Sequence, residues 1–196
     1  MAARGELPPE DSPVTEAEPA EQRGGLLTRL FPPAPPLPDR PDPLVGFNRD
    51  GPLRPVRESV FLLRRNLLAW VVPGIVAFFG YFASQYYGGD NLLGLLGSFV
   101  MFGALIAAGW IGWQRPALFG TVAGVLSYLL VAGLAFFTFA QRGAGPETFG
   151  GIGPVLGNIA IGALVQAGFG FVGGWYGGYL RRRQTQFNVS NGRRRR

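Results

Sequence analysis

Four long apolar segments, each without an acidic or basic side chain, constrain this chain more than any other feature. They cover residues 66–87, 92–113, 117–140 and 154–180. A helix needs about 20 apolar residues to cross a bilayer, so each segment is long enough to span one. We therefore predict an all-α integral membrane protein with four transmembrane helices.

The two ends of the chain are polar and are predicted to lie outside the bilayer. Residues 1–54 carry most of the prolines and acids, and such a segment buries too little apolar surface to offset its ordering entropy, so we expect it to be disordered. Its proline-dense part, 31–43, has the PxxP spacing that SH3-type domains recognise, which suggests a cytoplasmic partner. Residues 55–65 predict a basic juxtamembrane helix. Residues 181–196 form a basic tail, in which 184–192 are expected to be unstructured.

The formal net charge of +6 comes from arginine alone, because the sequence contains no lysine. A basic total can indicate nucleic-acid binding, but these arginines flank apolar segments, so we expect a topological role and no nucleic-acid partner. The positive-inside rule then places both termini in the cytoplasm, with the protein in the inner (plasma) membrane of a cell that we take to be bacterial. The arginines predicted to contact anionic lipid headgroups are Arg64, Arg65, Arg115, Arg181, Arg182 and Arg183.

The residue types that most enzyme and metal sites need are missing from this sequence. Cysteine and histidine are absent, which excludes disulfides, thiolate chemistry and typical zinc sites. The predicted spans contain no charged residue of the kind that marks proton coupling or catalysis in membranes. Asp90 and Glu147, on the non-cytoplasmic side, are read as solvated loop charges in preference to cation ligands. We expect no enzyme activity, no cofactor and no metal.

The fourth apolar segment carries a row of small residues, which we call the stripe. Residues four apart lie on one side of a helix, so another helix can approach this side closely. The third segment has the same spacing in Gly120 and Gly124. These two faces predict contact inside one monomer at least as readily as a homo-oligomer or a larger membrane complex. The stripe consists of Asn158, Gly162, Gln166, Gly170, Gly174 and Gly178.

Asn158 and Gln166 are the two carboxamides on the stripe, and each has two interpretations. The favoured one is an interhelical hydrogen bond, which contributes about 0.6–2 kcal/mol in a membrane. The other is that the amides line a narrow polar path.

The two predicted helical hairpins resemble each other in sequence. Residues 65–76 match 115–126, and 103–110 match 162–169, in the same order. Both hairpins begin on the same side of the membrane, so a duplication would give a parallel repeat about an axis along the membrane normal. Chance similarity between glycine- and alanine-rich helices is the alternative, and we favour duplication slightly.

These features indicate a small polytopic membrane protein of structural, scaffold or accessory type that acts through glycine-mediated helix packing (a glycine zipper). The alternative is a small oligomeric channel or carrier with a polar path near Asn158 and Gln166. The sequence contains no motif specific enough to name a family.

Overall fold

A computed structural model describes residues 44–47, 53–88, 90–112 and 114–194, with side chains described up to residue 185. Helices α2 to α5 each contain an apolar stretch long enough to cross a membrane. This confirms the prediction of a helical chain with four such helices. Most of the predicted disordered tail, 1–54, lies outside the described residues. The helices are α1 (Arg54–Arg65), α2 (Leu68–Tyr87), α3 (Leu92–Ile111), α4 (Pro116–Gln141) and α5 (Ile152–Arg194), with a short 3-10 helix at Pro146–Phe149 before α5.

Local signals in the sequence account for several helix ends. Pro55 and Pro116 lie in the first turns of α1 and α4, where the missing backbone N–H has no partner to lose. Asn91 caps α3, since its Oδ1 accepts a hydrogen bond from the Leu93 backbone N–H at 3.2 Å. Between α1 and α2, Asn66 leaves the helical conformation, which separates the two helices by a single turn.

Helix α5 is longer than the sequence predicts. It continues past the last apolar residue to Arg194, so the expectation that 184–192 are unstructured is wrong. The segment contains no proline, and its first glycine is Gly192. Nothing in it therefore breaks a helix that the bundle has already nucleated.

Consecutive helices of the bundle are antiparallel, so its two ends differ. One end holds Arg65, Arg115 and Arg181, and we call it the arginine end. The other, called the loop end, holds the α2–α3 turn and the α4–α5 loop. Around the bundle α2 packs on α3, α3 on α5, α5 on α4 and α4 on α2, and α3 also contacts α4 across the middle.

The core of the bundle is built mainly from small residues, while most of its large apolar side chains lie outside. The central buried cluster contains four alanines together with Met101 and Leu105. Outside it, phenylalanines and leucines such as Phe79, Phe99, Phe137 and Leu164 are exposed. Helices that pack in lipid show this arrangement, because lipid tails solvate large apolar side chains and small residues let backbones approach.

The helix contacts depart from the symmetry that a duplicated hairpin would impose. A two-fold axis exchanging α2 with α4 and α3 with α5 would make the α3–α4 and α2–α5 contacts equal, yet among the described helices the first is clearly the larger. Matched positions also differ: a methyl on Gly103 would meet no atom within 4 Å, while one on Gly162 would strike Tyr128. The repeat stays a prediction.

Candidate functional site

The stripe on α5 lies directly against α4. A Cβ atom placed on Gly174 would lie 2.5 Å from the Pro116 carbonyl oxygen, and one on Gly124 would lie 2.5 Å from that of Gln166. Real Cβ atoms essentially never come within 3.0 Å of such neighbours, so the two backbones are in contact. The small-residue faces of the third and fourth segments therefore meet inside one chain.

The remaining glycines of the stripe continue this contact along α4. Gly170 faces the backbone of Gly120, and Gly178 lies against the ring of Pro116. Gly162 lies under the Tyr128 ring and hydroxyl. The five contacts together cover about four turns of α5, from Gly162 to Gly178.

A second row of glycines on α5 faces α3, and sequence reasoning missed it. A Cβ on Gly173 would lie 3.0 Å from Leu105 Cβ, and one on Gly177 would lie 2.9 Å from the Trp110 backbone nitrogen. Gly173 and Gly177 are also four residues apart, one position before Gly174 and Gly178. Scoring both rows for small residues would have found this second face, which places α5 in the groove between α3 and α4.

Helices α2 and α3 approach each other through single glycines that the sequence analysis did not single out. A Cβ on Gly80 would lie 2.6 Å from the Met101 backbone nitrogen, and one on Gly97 would lie 2.6 Å from the Gly80 carbonyl oxygen. Beside this contact the Ser84 and Ser98 hydroxyls share a hydrogen bond of 2.8 Å. Neither Gly80 nor Gly97 belongs to a long row of small residues, so their pairing is visible only once the helix register is known.

Gln166 is the buried member of the two stripe amides. Its side chain is 3% exposed, and its Nε2 donates to the Met101 sulfur at 3.5 Å. Its Oε1 has no hydrogen-bond partner among the described protein atoms. The amide therefore links α5 to α3 through one weak bond and keeps an unused acceptor.

Asn158 does not join Gln166 in the interior. Its side chain is exposed, and its backbone oxygen accepts a hydrogen bond from the Tyr128 hydroxyl at 3.4 Å. It lies eight residues nearer the loop end, about 12 Å along the helix axis.

Several arginines predicted to contact headgroups are engaged within the protein. Arg115 pairs with Glu58 at 2.8 Å and donates to the Ser59 hydroxyl at 3.0 Å. Arg181 donates to the Trp110 carbonyl at 2.8 Å, and Arg65 donates to a carbonyl near the start of the described chain at 3.3 Å. Of the others, Arg64 and Arg183 are exposed and Arg182 is half-buried.

Helix α1 docks on the arginine end of the bundle. Leu62 is fully buried in a cluster with Ala69 of α2 and Phe119 of α4. Trp70 Nε1 donates to the Leu63 carbonyl at 3.1 Å and joins α2 to the last turn of α1. The apolar face of α1 is therefore covered in part by protein, and the helix forms a cap over the bundle.

The segment before α1 also lies against this cap. Phe47 packs on Phe61 with ring centroids 5.5 Å apart, and the Arg57 guanidinium lies 6.0 Å from the Phe47 ring centroid. Through these contacts α1 holds Phe47, the last residue of the described stretch 44–47.

Protein-family models, curated proteins and solved structures were compared with the chain, and none of them matches it.

Proposed function

We propose that this chain is a non-enzymatic, multi-pass membrane protein of structural, scaffold or accessory type. The observation that best supports this proposal is the position of α5, whose glycines contact backbone atoms of both α3 and α4. Contacts of this kind fix the spacing and register of helices, because a larger side chain there would push them apart. A rigid bundle without a charged residue in its spans suits a protein that holds or positions others.

The cap formed by α1 is where a cytoplasmic partner would be held. Because α1 is docked on α2 and α4 through Leu62 and the Glu58–Arg115 pair, a protein that binds the proline-rich segment before it would be held close to the bundle. We place the arginine end in the cytoplasm, at the inner (plasma) membrane, with exposed Arg64 and Arg183 near anionic headgroups.

Fusing alkaline phosphatase after Gly145, in the loop that joins α4 to α5, tests this orientation. We expect periplasmic activity, because the positive-inside rule places the arginine-poor loop outside. A matched fusion after Gln184, beyond Arg181–Arg183, should be inactive. The reverse pattern would contradict the proposed orientation.

The second candidate is a small oligomeric channel or carrier, and buried Gln166 with its unpartnered oxygen is the observation that favours it. One experiment separates the two functions. The full chain is purified with its stably associated proteins and then reconstituted in liposomes for solute and ion flux. The scaffold predicts stable partners, lost when residues 1–43 are deleted, and no flux.

A channel or carrier instead predicts flux that Gln166→Leu abolishes. The matched control is Gln85→Leu, the same substitution at an exposed position near the loop end of α2. Flux that is insensitive to both changes, without any stable partner, would contradict both candidates.

A further inference from the structure

Gln166 Oε1 is a buried acceptor at mid-bundle that the described protein atoms leave without a hydrogen bond. Its amide contacts Met101, which stands halfway along α3, and its backbone lies against Gly124 of α4. A buried polar atom without a partner costs about 1–3 kcal/mol. Such atoms in folded proteins are usually bonded to an internal water.

Polar groups lie on the loop-end side of this acceptor, along the same face of α5. One turn from Gln166, at Gly162, lies the hydroxyl of Tyr128. One turn further, the same hydroxyl donates to the backbone oxygen of Asn158 at 3.4 Å, and the Asn158 side chain is exposed. Each step of four residues is about 6 Å along the helix axis, which is close to the span of one water that bridges two hydrogen bonds of about 2.8 Å.

In the opposite direction the fully buried side chains are apolar, and the half-buried Thr121 hydroxyl is already used, since it donates to the Ala117 carbonyl at 2.8 Å. Between Gln166 and the arginine end, Leu105, Ala108, Phe119 and Ala123 are fully buried. These side chains offer no donor or acceptor to a water molecule, so the polar route has one open end.

We propose that Gln166 Oε1 binds a water molecule that enters from the loop end past the Tyr128 hydroxyl. The water donates one hydrogen bond to Oε1 and bonds to the tyrosine hydroxyl, which can both donate and accept. These two groups supply the minimum of two polar partners that an internal water needs. The inference does not rest on the proposed function, since a bound water occurs equally in a static scaffold and in a transport protein.

The natural chain contains no cysteine, so one introduced thiol reports on one position. Gln166→Cys is compared with Ala108→Cys, which is buried on the apolar side, and with Gly145→Cys, which marks the loop end. A small charged methanethiosulfonate is added to each side of sealed vesicles. Gln166→Cys should react from the loop-end side about tenfold or more faster than Ala108→Cys, because only thiolate in contact with water reacts.

A second measurement is made on the unchanged protein, and variants serve only for assignment and comparison. In ¹⁵N-labelled protein, the Gln166 side-chain amide, assigned by its loss in Gln166→Leu, should show magnetisation transfer from water. Tyr128→Phe should weaken that transfer. The proposal is overturned if the amide shows no transfer from water, or if Gln166→Cys reacts no faster than Ala108→Cys or reacts only from the arginine-end side.

Discussion

Gly174 shows how a single residue sets the distance between helices in this bundle. It faces the Pro116 carbonyl and the Gly120 backbone on α4, and Gly109 of α3 faces it from the other side. Any side chain at this position would have to displace backbone, which is far less compliant than the end of a flexible side chain. At this level of the bundle, the close approach of α3, α4 and α5 therefore requires a residue without a Cβ atom.

Replacing Gly174 by leucine should destabilise the protein by about 1–3 kcal/mol or more, the usual cost of overpacking. The free energy of unfolding in mixed micelles measures this loss. The matched control is Gly168→Leu, because Gly168 is exposed on the same helix and a Cβ there would meet no atom within 4 Å. Equal stability and equal particle size for the two variants would mean that the stripe has no special role in packing.

Two whole helices, α5 and α1, are held in the bundle by contacts between residues far apart in the chain. Helix α5 uses two adjacent glycine rows to contact α3 and α4 at once, and α1 uses Leu62 and Glu58 to cap the arginine end. In neither case does the segment itself show which helix it contacts. A row of glycines predicts that some helix will approach, but which helix approaches depends on the register of all four.

Reversing the charges of Glu58 and Arg115 tests the docking of α1. The Glu58 side chain is 13% exposed and that of Arg115 38%, so the Glu58→Arg variant places two positive charges together in a partly desolvated position. We expect trypsin to cleave α1 faster in that variant, and the double variant Glu58→Arg, Arg115→Glu to recover much of the protection.

Asp90→Arg serves as the control for this experiment, since Asp90 is an exposed acid at the loop end. Cleavage of α1 at the same rate in all of these variants would show that the ion pair does not hold the cap.

At the scale of the whole molecule, the sequence predicts the number of spanning helices and locates their ends to within two residues, except at the end of α5. It does so because membrane insertion depends on the transfer free energy of each segment, which is a local property. The arrangement of the helices is not local. The pairing of Gly80 with Gly97 and the burial of Leu62 against Phe119 depend on complementary shapes far apart in the chain.

The same distinction between local and long-range information applies to the candidate site. The stripe and its two carboxamides could be read from a spacing of four residues. The difference between them could not, because exposed Asn158 and buried Gln166 lie on the same side of one helix. What separates them is the position of α3, whose Met101 covers only the second amide.

The central claim is that glycine rows pack α5 inside a single chain, and a disulfide between α3 and α5 tests it most directly. In this cysteine-free protein the double variant Leu105→Cys, Gly173→Cys would place the two Cβ atoms about 3.0 Å apart, near the spacing of about 3.5–4.5 Å that a disulfide requires. Mild oxidation should give an internal disulfide in a species that still migrates as a monomer, whereas Leu105→Cys combined with exposed Gly168→Cys should not. A disulfide-linked dimer, or no bond in the first pair, would contradict the account.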